Sequence, residues 1–173
     1  MPTTRLKTTE NFLLRDGTYS PQPVRRIVGE ACHFIDLLRF LAGSPIRGVQ
    51  AVTLGPAASV AVREDKISFT MSFEDGRFGT VHYLANGHRA FPKERLEIFC
   101  GGRVLQIDNF KVLKGFGWPG FKRLRLWRQD KGQKACTAAF VQAIRHSGTA
   151  PIPFAELAEV TRVSFEVTDL AVG

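Results

Sequence analysis

Little in this chain points to export, a disulfide framework or a metal cage. Only three of its 173 residues are cysteine, Cys32, Cys100 and Cys136, an odd number set far apart. No two stand close enough to chelate zinc from one turn. Each lies in an apolar run, which predicts buried free thiols in a reducing compartment. No run approaches the roughly 20 apolar residues that cross a bilayer. The opening stretch MPTTRLKTTENFLLRDGTYSPQPVRR has no apolar segment of the secretory kind. A cytoplasmic location without membrane contact is the expectation. Acids are scarce as well, with 16 Asp and Glu against 24 Lys and Arg, a net charge of +8. The imbalance is local: from Arg77 to Lys134 thirteen Lys and Arg meet four Asp and Glu, an excess of nine, so the rest is near neutral. A basic surface of this kind attracts anions without defining a site.

What is present is a globular composition, 44% hydrophobic and 23% charged, in a length that suits one domain. Residues 1–26 show no sustained period and end near PQP, so they read as a poorly ordered arm or a broken junction before a domain over 27–173. A helix is expected from about Gly29 to Ala42, stopped by Gly43 and Pro45. Strands follow. In KISFTMSFEDGRFGTVHYL, Asp75-Gly76 reads as a two-residue hairpin loop, which places Phe73 opposite Phe78, Met71 opposite Thr80 and Phe69 opposite His82. That register makes His82 a core histidine. It leaves Ser68 with Tyr83, and Thr70 with Val81, on the outer face. A second hairpin turns at Gly101-Gly102, with Ile98 opposite Leu105, Leu96 opposite Ile107 and Arg95 opposite Asp108. Strands continue through FKVLKGF and KRLRLWR. Two helices close the chain: DKGQKACTAAFVQAIRHSG, with Ala135, Ala139, Phe140, Ala143 and Ile144 on one face, and LAEVTRVSFEVTDL, packing through Leu157, Val160, Val163 or Ser164, and Val167. The order predicts an α+β fold, an open, mainly antiparallel sheet with helices on one face.

Gly115 to Gly120, GFGWPG, spells the G-x-G-x-x-G pattern of dinucleotide-binding turns. That pattern works only between a buried strand and a helix whose N–H groups hold the pyrophosphate. Here strand-like sequence stands on both sides, and Pro119 removes a donor. The reading is a hairpin tip, and no nucleotide-binding unit is expected within this chain.

In the first helix the ionisable residues Glu30, His33, Asp36 and Arg39 are spaced by three, forming a slanting stripe on an otherwise apolar cylinder. A carboxylate one turn from an imidazole can orient it and stabilise its charged form, an arrangement suited to proton transfer. The same spacing also serves a structural ion pair. His88 lies in the loop NGHRAFPKE, where Asn86, Arg89 and Lys93 could meet an anionic sugar substrate.

The segment GEACHFIDLLRFLAG, the hairpin SFEDGRFGTVHYLANGHRAFPKERLEIFCGG, the DKGQ helix and IPFAELAEVT together resemble the C-terminal half of the Gfo/Idh/MocA oxidoreductase family. The likeness is to the branch in which that module is fused to an alcohol-dehydrogenase-like module. The resemblance implies a substrate-shaping sheet whose outer face pairs subunits. It implies His33 as catalytic histidine with Asp36 as its acid, and NAD or NADP as cofactor of the complete enzyme. Two departures stand out: the family's usual acid one turn before the histidine is Gly29, with Glu30 adjacent, and the E-K-P lysine is absent.

Three readings follow. The chain is the substrate and oligomerisation part of such an enzyme, with Glu30, His88 and Lys93 in its substrate site. It binds no cofactor itself, and a Rossmann domain lies upstream or on another chain. Alternatively, it is a non-catalytic dimeric binding domain. The third reading, nucleic-acid binding through Lys122, Arg123, Arg125, Trp127 and Arg128, is set aside because KRLRLWR alternates like a half-buried strand.

Overall fold

Alternation of apolar and small polar residues builds the centre of the molecule. The computed structural model describes residues 5–8, 27–55, 65–146 and 148–172. Strand β1 (Arg5–Thr8) is followed by a π turn (Ile27–Ala31) that runs into helix α1 (Cys32–Ala42). Next come β2 (Ile46–Thr53), β3 (Lys66–Phe73), β4 (Phe78–Leu84), β5 (Arg95–Cys100), β6 (Arg103–Asp108), β7 (Val112–Phe116) and β8 (Arg123–Arg125). Helices α2 (Gln133–Arg145) and α3 (Phe154–Val172) end the chain. The strands form two sheets, ordered β1-β4-β3-β2 and β5-β6-β7-β8, and β1 lies beside β5 where the sheets adjoin. All pairs are antiparallel except β1 with β4. The fold is α+β, as expected. Of the arm expected over 1–26, Arg5–Thr8 is a strand, and the rest lies outside the described residues.

The β3–β4 hairpin corrects the expected register. Phe73 donates its N–H to Arg77 O, and Gly76 takes φ +83°, so the loop holds three residues, Glu74, Asp75 and Gly76. A three-residue loop with glycine in the left-handed region is the alternative to a two-residue turn. The extra residue shifts every pairing by one and turns each β4 side chain to the other face. Phe69 therefore faces Val81, Met71 faces Gly79, and Ile67 faces Tyr83. His82 leaves the core for the outer face, where its Nδ1 lies 2.8 Å from Ser68 Oγ. Thr70 pairs with Thr80 there, Oγ1 to Oγ1 at 2.9 Å. The Gly101-Gly102 hairpin keeps its expected register, with Ile98 opposite Leu105 and Leu96 opposite Ile107.

The inner face of the first sheet carries the core: Ile67, Phe69, Met71, Phe73, Val81 and Tyr83 are buried against Phe34, Ile35 and Leu38 of α1. Burial of each large apolar side chain contributes about 1.5–3 kcal/mol. A Cβ on Gly79 would come within 3.0 Å of Leu38 Cδ1, so a glycine lets α1 sit close on β4. Helix α3 packs through Val160, Val163, Ser164 and Val167, all buried as expected, whereas Leu157 is exposed. Glu159 ties three elements together: its carboxylate accepts from Arg39 Nε at 2.8 Å and from the Ile46 N–H that opens β2. Two expectations fail. Cys100 and Cys136 are exposed and Cys32 is half-buried. Helix α2 forms where expected but buries nothing, since among the described residues its face bearing Phe140 and Ile144 meets no other helix or strand closely.

Candidate active site on the first helix

The π turn and α1 divide the expected stripe into three environments. Glu30 turns toward the sheet, where its Oε2 accepts a 2.6 Å hydrogen bond from the hydroxyl of the fully buried Tyr83. π turns within helices recur at functional positions because they aim a side chain out of helical register. At the other end Arg39 is engaged by Glu159 and lies 3.7 Å from Glu156. Between them His33 is exposed and Asp36 half-buried, one turn apart. Ile35 and Leu38 fix the opposite face of the helix in the core. His33 therefore stands on a rigid element with its ring directed away from the sheet.

Electrostatics distinguish the members of this group. Burial pushes the Asp36 carboxyl above the usual carboxylate range, His33 opposes that rise, and Glu156 adds to it. Burial also raises the Cys32 thiol; backbone hydrogen bonds at His33 and Cys32 lower it, and the charges of Asp36 and Glu30 raise it again. Cys32, beside the histidine, thus holds its proton more firmly than a free thiol does. A partly desolvated carboxylate facing an imidazole can hold the ring in orientation and stabilise its cation.

The other predicted residues lie on the loop between β4 and β5. His88 is exposed, and its Nδ1 accepts from the Ala90 N–H at 3.2 Å, so the ring folds back on its own loop. Lys93 is exposed beside Glu94, a buried residue with 6% exposure whose carboxylate accepts from Lys131 Nζ at 2.6 Å. The Tyr83–Glu30 bond and the Glu94–Lys131 pair were missed in the sequence. Each joins residues far apart in the chain, 53 and 37 positions respectively, and no local spacing signals them.

GFGWPG closes the β7–β8 hairpin, as expected, with Trp118 Nε1 donating to Val104 O at 3.1 Å and Arg103 stacked 5.2 Å from the ring centre. Between two strands it has no helix N-terminus to hold a pyrophosphate. Among the described residues no group of three or more His, Cys, Asp or Glu could hold a metal, and no helix is long and apolar enough to cross a membrane.

Residues 26–104 match the GFO/IDH/MocA C-terminal domain. This segment contains Glu30, His33, Asp36, Tyr83, His88 and Lys93. The whole fold is similar to UDP-N-acetylglucosamine 3-dehydrogenase from Acidithiobacillus ferrooxidans, with a TM-score of 0.72 and 16% identity over 98% of this chain and 52% of that one. It is similar to levoglucosan dehydrogenase in complex with NADH, with a TM-score of 0.71 and 18% identity over 99% of this chain and 56% of that one. An oxidoreductase from Agrobacterium radiobacter, in complex with NAD+, L-tartaric acid and magnesium, superimposes with a TM-score of 0.71 at 14% identity, over 100% of this chain and 55% of that one. The chain thus spans about half the length of the solved structures it resembles. No curated protein sequence matches it.

Proposed function

We propose that this chain is the substrate-binding and subunit-pairing part of a Gfo/Idh/MocA-type NAD(P)-dependent oxidoreductase acting on a sugar or polyol-like alcohol. The carrying observation is the His33–Asp36 pair, an exposed imidazole one turn from a half-buried carboxylate, within the segment matched to the family. His33 exchanges the proton of the reacting hydroxyl, and Asp36 orients the ring and stabilises its charged form. Glu30, held by the Tyr83 hydroxyl, and the loop of His88 and Lys93 are assigned the further polar contacts to a sugar. Two relatives in fold whose names specify a sugar-derived substrate support this class of alcohol.

The division of labour is supported by GFGWPG, which joins two strands and so offers a pyrophosphate no helix N-terminus. The redox half of the reaction is assigned to a further domain, on this polypeptide or another, as in the fused branch that the sequence resembles. The exposed face of α1 supports this: two turns beyond His33, Phe40 is 77% exposed. A site for proton and hydride chemistry needs water excluded, and this face calls for a cover. Subunits pair through the outer sheet face, where half-buried Ser68, Thr70, Thr80 and His82 lie on the side opposite the core that α1 covers.

Titrating the purified chain with NADH tests the division of labour. No saturable change in nicotinamide fluorescence is expected, and saturation at micromolar concentration would contradict it. In the complete two-part enzyme, His33→Asn is expected to lower kcat by about 10²–10⁴ with a smaller change in KM. An unchanged kcat would remove His33 from the chemistry.

A further inference from the structure

The strand expected to be half-buried is instead the most open part of the sheet. Every residue of β8 is exposed, Leu124 at 52%, and just beyond it Trp127 is exposed at 90%. Five cations, Lys111, Lys122, Arg123, Arg125 and Arg128, make no ion pair among the described residues. No acid occurs between Asp108 and Asp130. Among the described residues β8 is also the last strand of its sheet.

Backbone direction at this edge follows from the ladder. Gly115 N–H bonds to Lys122 O and Leu126 N–H to Lys111 O, both at 2.9 Å, so even-numbered residues of this stretch face β7. In an antiparallel pair the intervening residues turn their N–H and C=O groups away. The backbone groups of Arg123 and Arg125 therefore point outward at the free edge. Their side chains share the sheet face of Lys114 and Val112, whereas Leu124 lies on the opposite face with Leu113. Lys111, Arg125, Leu126 and Trp127 surround a hollow of about 580 Å³ at the end of the strand. Charge on an edge strand commonly blocks unwanted pairing. Exposed Leu124, and exposed Trp127 next to Leu126 at the hollow, do the reverse, since apolar surface of this kind marks an interaction site.

We propose that the β8 edge is a docking site for an extended acidic peptide segment that adds a strand to the sheet. Side chains directly opposite one another share a face. The segment therefore alternates acidic residues, against Arg123 and Arg125, with apolar residues beside Leu124, and its end seats an apolar group on Trp127. Main-chain bonds give the affinity and the alternation gives the specificity.

The test uses the full chain and three probes: a synthetic peptide of about seven residues alternating Glu and Leu, a peptide of the same composition with all Glu before all Leu, and oligothymidylate. The alternating peptide is expected to bind at least about tenfold more tightly than the block peptide and to slow hydrogen exchange at the Arg123 and Arg125 amides. Arg123→Glu with Arg125→Glu should weaken it by tenfold or more. Trp127→Ala, a change at an exposed position that leaves the core intact, should weaken it independently. Equal binding of the two peptides, no binding, or absence of amide protection would overturn the proposal. Tighter binding of oligothymidylate would also overturn it and assign the edge to nucleic acid.

Discussion

Phe69 and Phe140 are the same side chain in two different settings. Phe69, on β3, is 1% exposed among α1 and the inner sheet face, whereas Phe140, on α2, is 59% exposed. The contrast extends to their regions. From Ile27 to Leu96, together with α3 from Val160 onward, lie all the buried apolar residues of the described chain. From Ile98 to Glu159 there are none. A helix of 13 residues that buries nothing is marginal in water. The first region thus stabilises itself and presents His33, and the second offers surfaces that gain stability on being covered.

Substituting the two phenylalanines tests this contrast with the largest expected effect. Phe69→Ala should cost about 3–5 kcal/mol in urea denaturation, the usual cost of an emptied aromatic core site. Phe140→Ala should change stability by less than about 0.5 kcal/mol. A comparable loss from Phe140→Ala would mean that α2 docks on the core in solution, and the comparison would break. Tyr83→Phe comes next. It removes a buried donor from the Glu30 carboxylate and should cost about 1.5–3 kcal/mol. A loss near zero would show that Tyr83 and Glu30 do not hold the π turn in place.

The smallest effects are electrostatic, and they differ in sign between the regions. Asp36 has its carboxyl raised, so its contribution to stability is fully present below the unfolded value near 3.8 and is lost as pH rises through the higher folded value. At neutral pH its charge therefore opposes folding, and Asp36→Asn should raise Tm slightly while lowering the activity proposed for the complete enzyme. Asp108, in the second region, behaves oppositely. Burial pushes it up, but hydrogen bonds from Gln106 and Lys114 and the charges of Lys114 and Arg95 outweigh that and hold it below the usual range. Its contribution is present above about pH 4 and is lost on acidification through the folded value. Asp108→Asn should lower Tm slightly at pH 7 and leave it unchanged near pH 2. Reversal of either sign, followed by thermal melts across pH, would sharpen or overturn the assignment of these two carboxylates.

Local chemistry made part of the structure legible. Gly43 and Pro45 stop α1 as the sequence implies, and Gly101-Gly102 sets the β5–β6 register. The β3–β4 register was not legible, because Asp75-Gly76 fits a two-residue turn as well as the three-residue loop with Glu74 that forms. Strand β2 escaped notice because Gly48 and Gln50 dilute its alternation, and its bulge near Ile46 breaks the period. At the site, the His33–Asp36 spacing could be read directly, whereas the capture of Glu30 by Tyr83 depends on the tertiary fold. An amphipathic helix also does not state what covers it, which is why α2 was expected to be packed.

Hydrogen exchange followed by mass spectrometry on the isolated chain tests the division between the two regions most directly. Amides of α1 and of the β3–β4 hairpin should open only with global unfolding, while those of α2 exchange orders of magnitude faster, by local opening. Protection of α2 equal to that of α1 would mean that the second region is already complete, and the proposed need for a partner would be contradicted.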